Sequence, residues 1–167
     1  MRWTSLATSQ DTGAPGRGGA GRAGGAGQGK TPTHPPTQPH ERSLDLELPT
    51  KSEEAIDPSC LITFQYEYPN QHSQVEIDTD EFTAVCPWTG LPDYGVLAIS
   101  YVPSNSCIEL KSLKYYLLSY RDVGIVQEHA ANRILNDLVE LTNPKSMNLT
   151  LTYKIRGGIN TAVKASF

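Results

Sequence analysis

The chain has 167 residues, a net charge of −4 and 38% hydrophobic residues, which suits one domain with one core. No apolar run approaches the roughly 20 residues that span a bilayer, and no secretory apolar segment is visible, so a soluble, cytoplasmic protein without a membrane partner is expected. Three cysteines, Cys60, Cys86 and Cys107, are odd in number and lack paired spacing, which argues against a disulfide framework or a zinc site.

Composition shifts along the chain. Residues 1–43 hold 9 of the 14 glycines and 5 of the 12 prolines, with almost no large apolar residue. Such a segment cannot bury enough surface to offset its ordering entropy, so residues 1–50 are read as a disordered tail and residues 55–167 as the folded domain. An arginine-bearing, acid-poor start also fits a transit segment, but it lacks an amphipathic helical pattern; a tail or a start codon placed too far upstream fits better. Residues 1–43 carry +3, so residues 44–167 carry −7. An acidic domain argues against a broad nucleic-acid surface.

In the domain, "LITFQYEY" (61–68) alternates, and Ile62, Phe64, Tyr66 and Tyr68 are expected on the buried face of a strand. "VEIDTDEFTAV" (75–85) is extended, and "YGVLAISYV" (94–102) reads as a central strand. The period then changes. Leu110, Leu113, Leu117 and Tyr120 share one helical stripe, ended by Gly124. A second helix from about Val126 to Leu141 has Ala131, Ile134, Leu138 and Leu141 on its inner face and stops before Pro144. "MNLTLTYKIR" (147–156) alternates as a strand, "GG" turns, and "INTAVKA" is a last strand. Strands, two helices, strands is an α+β order, with both helices on one face of an antiparallel sheet. Joining such sheets edge to edge between subunits would remove their exposed edges.

Four features could carry chemistry. In "FTAVCPWTGLPDY" (82–94), Cys86 is followed by a stiff turn and then by Asp93. Cys86 is either a small buried hydrophobe or a nucleophile, and Asp93 either a turn residue or a general acid. In "ELKSLKYY" (109–116), Lys111 and Lys114 lie three apart on one helical face, a solvated pair or a grip on phosphate. Arg156 adjoins glycines, where a backbone can approach an anion. Glu128, early in its helix, suits the helix dipole; it could equally accept two N–H bonds from a guanine-like base.

Taken together, "EFTAVCPWTGLPD", "IELKSLKYYLLSYR", "QEHAANRILNDLVEL" and "RGGI", in this order and spacing, resemble the single-module NADPH-dependent 7-cyano-7-deazaguanine reductases, the nitrile reductases of queuosine biosynthesis. The resemblance covers residues 55–165. It implies the tunnelling fold, a homo-oligomer whose sheets join into a barrel, and active sites between subunits. It further implies Cys86 as nucleophile and Asp93 as proton donor. Ile108, Glu109, Leu110, Gln127 and Glu128 would hold the substrate, with Glu128 anchoring the deazaguanine. Lys111, Ser112, Lys114, Arg156 and Gly157 would hold NADPH, and no metal is implied.

Two positions depart from the pattern. Gln127 stands where many relatives carry histidine; glutamine hydrogen-bonds but does not shuttle protons near neutrality. His129 is no simple replacement, because two helical positions rotate a side chain by about 200°. Ala130 stands where some relatives carry a cysteine able to pair with the nucleophile. Three rival readings fit parts of the pattern. An amidinotransferase of the same fold, acting on the nitrile base in tRNA, needs no reductant. A pterin-type enzyme such as GTP cyclohydrolase needs a Cys/His metal constellation, and the domain has only His72 and His129. A non-catalytic module would bind the base and leave Cys86 unreactive. The intact "ELKSLKYY" motif favours the reductase.

Overall fold

The computed structural model describes residues 48–167, so the predicted tail lies outside the described residues up to position 47. Two short 3-10 turns, Glu53–Ala55 and Pro58–Cys60, precede β1 (Thr63–Gln65), β2 (Val75–Val85), β3 (Pro92–Val102), β4 (Ser106–Ile108), α1 (Leu110–Leu118), α2 (Gln127–Thr142), β5 (Ser146–Tyr153) and β6 (Ala162–Ser166). The main sheet is antiparallel with order β2-β3-β5-β6, and β1 pairs with β4 in a separate ribbon. The α+β order read from the sequence is the observed one.

The core lies between the helices and one sheet face. Alternation along β3 and β5 sends Leu97, Ile99, Tyr101, Met147, Leu149 and Leu151 inward, where they meet Leu113 and Tyr116 of α1 and Ala131, Ile134 and Leu138 of α2. Each large aliphatic side chain removed from water there contributes about 1.5–3 kcal/mol. The opposite face, with Tyr94 and Val96, is exposed.

A register shift between Thr79 and Phe82 inserts one extra residue into β2 opposite Val96. Because strand side chains alternate with period two, this bulge changes which parity faces the core. Phe82 and Ala84 turn inward after it, and Ala84 lies directly opposite Asp93. The strand leading to Cys86 is therefore aimed at Asp93 by the bulge.

Helix ends follow local chemistry. The Glu109 carboxylate accepts the N–H groups of Lys111 (2.9 Å) and Ser112 (2.7 Å), which caps α1. Asn143 closes α2 at φ 43°, ahead of Pro144. One expectation fails: β1 has only three residues, and Ile62 and Phe64 are each 55% exposed rather than buried. The ribbon it forms with β4 does not lie in the main sheet, so alternation there selects no covered face. Likewise the strand read over 147–156 ends at Tyr153, and Ile155 beyond it is exposed. Among the described residues no helix is long and apolar enough to cross a membrane.

Candidate active site

The turn after β2 is closed by its own backbone. The Cys86 N–H donates to the Leu91 carbonyl (2.9 Å), and the Gly90 N–H donates back to the Cys86 carbonyl (2.8 Å). Gly90 is at φ 66°, and a β-carbon there would come within 2.6 Å of Leu48 Cβ, so only glycine suits this position. On the other side, the Val85 N–H donates to Val123 O (3.0 Å) and the Ile125 N–H donates to Val85 O (3.2 Å). The same 122–125 segment is held on its far edge by Lys51, whose N–H donates to Asp122 O (2.8 Å) and whose carbonyl accepts from Gly124 (2.9 Å). Cys86 thus leaves a ladder that also leads, through Ile125, into the start of α2.

With its backbone engaged, Cys86 presents a partly exposed thiol to a pocket of 440 Å³ lined also by Trp88, Asp93, Gln127, Glu128, Lys154 and Arg156. Burial pushes the thiol up. Hydrogen bonds from the Thr89 hydroxyl and from the Trp88 and Thr89 backbone, with the Arg156 charge, pull it down further, leaving it below its ordinary 9.0. A lowered thiol in an accessible setting is what a nucleophile needs. Cys60 is the opposite case: burial, then the Asp57 carboxylate, raise it above 9.0, and its Sγ–H donates to Asp57 O (3.1 Å). Cys107 is buried in β4.

Asp93 is only 5% exposed and pairs with the Arg156 guanidinium. The hairpin "IRGGI" puts the arginine there. Gly157 and Gly158 have φ 56° and 80°, and Arg156 and Ile159 exchange backbone hydrogen bonds of 3.2 and 3.0 Å across them. Two consecutive positive φ angles define a two-residue type I′ turn, which explains the glycine pair. Glu128 and Gln127 open α2, where free N–H groups and the helix dipole favour an anion or a carboxylate. His129 turns away, with its Nδ1 3.9 Å from Glu53. Ala130 is buried in the core.

The remaining predicted residues gather elsewhere. Ile108 is buried and its N–H donates to the Tyr101 hydroxyl (3.1 Å). Glu109 is the α1 cap, held below its ordinary 4.5 by the N–H groups of Lys111 and Ser112. Ser112 is buried; its hydroxyl accepts from Ile62 N (3.1 Å) and donates to Glu109 O (2.8 Å), tying β1 to α1. Leu110 and Lys114 line a groove of 220 Å³ between α1 and β2, and Lys114 pairs with Glu81 at 3.1 Å. Lys111 sits 5.9 Å above the Tyr115 ring. Within one chain, then, Cys86, Asp93, Gln127, Glu128 and Arg156 are brought together, while Ile108, Glu109, Leu110, Lys111, Ser112 and Lys114 form a second cluster. Sequence reading missed Thr89 and Lys154. The turn "CPWTG" carried the signal for Thr89, since a hydroxyl three residues after a cysteine can fold back on its sulfur. No cluster of three or more metal-ligating side chains occurs among the described residues.

An α+β domain that brings a lowered thiol, a buried carboxylate–guanidinium pair and a carboxylate at a helix start to one pocket has the layout of an enzyme site. Residues 92–167 match the family described as QueF-like protein. The fold is similar to the crystal structure of the archaeosine synthase QueF-Like in the apo form, with TM-score 0.54 and 24% identity over 57% of this chain and 94% of that one. The NADPH-dependent 7-cyano-7-deazaguanine reductase of Thermoanaerobacter pseudethanolicus is 55% identical over 127 residues, 76% of this chain and 92% of the relative. That of Chloroherpeton thalassium is 50% identical over 112 residues, 67% of this chain and 97% of the relative. The chain belongs to the family of NADPH-dependent 7-cyano-7-deazaguanine reductases.

Proposed function

We propose that this chain is an oxidoreductase that reduces the nitrile of 7-cyano-7-deazaguanine to an aminomethyl group with NADPH, the reductive step toward queuosine. The observation that carries the reading is the lowered Cys86 thiol in one pocket with the Asp93–Arg156 pair and Glu128. A nitrile is a poor hydride acceptor until a nucleophile adds to its carbon. The Cys86 proton passes to the Asp93 carboxylate, the thiolate sulfur bonds to the nitrile carbon, and the nitrogen takes the proton from Asp93. The product is a thioimide on Cys86. Arg156 fixes the position of the Asp93 carboxyl, and its charge helps keep the thiolate. Glu128 accepts the two N–H groups of the base edge, which fixes the nitrile over the sulfur. Gln127, half-buried beside it, adds amide hydrogen bonds.

The cofactor's needs fit the donor set. Lys111 and Lys114 are exposed on one face of α1, beside the apolar groove, and Arg156 supplies a third cation at the thiol pocket. The lysines would hold the phosphates, with Glu81 giving up Lys114, and Gly157 leaves the backbone open next to Arg156. Ser112 acts through the helix start it ties down. When bound, NADPH supplies the hydrides that carry the thioimide carbon to the amine, and Cys86 leaves as thiolate between the two additions.

Two candidate clusters in one chain call for a second copy. The edges of the sheet, β2 and β6, and its exposed face with Tyr94 and Val96 are the surfaces that would be covered if subunits joined into a barrel. In that homo-oligomer the α1 cluster of one subunit, with Ile108, Glu109 and Leu110, would complete the thiol pocket of its neighbour.

The test is to supply the nitrile with NADPH, then with ammonia alone, and identify the product. NADPH oxidation with formation of the aminomethyl base is expected. Amidine formation without reductant would replace this reading with the amidinotransferase one.

A further inference from the structure

Four tyrosines are buried in the core, and three of their hydroxyls have structural partners. Tyr101 accepts from the Ile108 N–H, and Tyr116 and Tyr120 share a 2.7 Å hydrogen bond, with Tyr116 donating onward to Asp137 at 2.7 Å. The fourth is Tyr153. It is 3% exposed, and among the described residues its hydroxyl is the one buried side-chain oxygen or nitrogen without a partner. A buried O–H in that state costs about 1–3 kcal/mol, so its retention requires an explanation.

Its place in the sheet supplies one. Tyr153 ends β5 directly opposite Gly95, which itself lies opposite Phe82. The Tyr153 ring passes close to Gly95, its Cδ1 3.6 Å from where a β-carbon would stand. Asp93 is on the same inward face, one pleat along β3. The Tyr153 N–H donates to Thr161 O (2.9 Å), and Thr161, Lys154 and Arg156 line the Cys86 pocket. The ring packs edge-on against Phe82, with centroids 6.3 Å apart, which fixes its direction. Burial, then the charge of Glu128, push the phenol above its ordinary 10.0, so it stays a protonated donor at working pH.

We propose that Tyr153 is a positioning residue for substrate specificity: its hydroxyl donates to the Glu128 carboxylate when that carboxylate turns in to hold the base. An ionised carboxylate has about four acceptor sites. It can take the two N–H groups of a guanine-type edge and one phenol O–H together, and the third bond fixes the plane in which the first two are offered. The inference rests on the reading of Glu128 as the base anchor.

The experiment uses the full chain and Tyr153→Phe, which keeps the ring packing and removes one oxygen. Adduct formation on Cys86 is titrated with 7-cyano-7-deazaguanine without NADPH, steady-state KM and kcat are measured with it, and Tm is recorded. The half-saturating concentration and KM should rise about tenfold, as loss of a charge-assisted hydrogen bond predicts. kcat should change little, and Tm should hold or rise. In Tyr153→Phe with Glu128→Gln, the effects should combine to less than the product of the single changes. If Tyr153→Phe leaves both concentrations unaltered while the wild type forms the adduct, this inference alone is overturned. A wild type that never forms the adduct overturns the functional reading and this inference with it.

Discussion

At the Cys86 pocket, side chains from β3, the turn after β2, the start of α2 and the β5–β6 hairpin face one another. At the start of α1, the candidate residues are engaged with the chain that bears them. Glu109 caps its own helix, Ser112 ties down β1, and Lys114 pairs with Glu81. The difference lies in what is left for a ligand. In the pocket the Cys86 backbone closes the turn and the sulfur remains available, lowered by its own loop. On α1 the Lys111 ammonium and the Leu110 side chain remain exposed, beside the open groove that Lys114 also lines. On the proposed reading, one region makes bonds and the other is half of a binding surface.

Breaking the first region should have the larger effect. Asp93→Asn keeps the shape but removes the group proposed to relay the thiol proton to nitrogen. Thioimide formation and turnover should fall by roughly a hundred- to ten-thousand-fold, the usual range for loss of a general acid or base, with circular dichroism unchanged. Turnover at the wild-type rate would mean that Asp93 serves only to hold Arg156 and the hairpin.

The second region should respond more weakly and in a different parameter. Lys111→Ala with Lys114→Ala should raise the NADPH concentration needed for half-maximal rate by about ten- to a hundredfold, the value of lost charge-assisted contacts to phosphate. Formation of the Cys86 adduct without NADPH should be untouched. An unaltered NADPH requirement would reduce the pair to a solvated face, since exposed lysines contribute almost nothing.

Much of this contrast was legible before the structure. The strand–helix–helix–strand order came from a change of period at Leu110, and Pro144 with the "GG" pair marked two boundaries. The Cys86–Asp93 relation was readable because both lie in one turn and its following strand. Three things were not. The bulge at Asp80–Glu81, which puts Ala84 opposite Asp93, leaves no sign in an all-polar "DTDE" run. The Arg156–Asp93 pair joins residues 63 apart, set by the register of β3 with β5 and by the hairpin, and local pattern does not reach that far. The β1 segment misled because its alternation describes side-chain direction, whereas burial depends on what packs above it. Ser112 and Glu109 also have a local role that their motif did not signal, since a helix start consumes acceptors and hydroxyls for its own N–H groups.

The central claim is that Cys86, and no other thiol, attacks the nitrile before any hydride arrives. Intact-mass measurement after incubation with 7-cyano-7-deazaguanine in the absence of NADPH tests it directly. One full substrate mass should be added per chain and should map to the peptide holding Cys86. It should vanish in Cys86→Ala and persist in Cys60→Ala and Cys107→Ala. An adduct that survives in Cys86→Ala, or reduction that proceeds in that variant, would contradict the account.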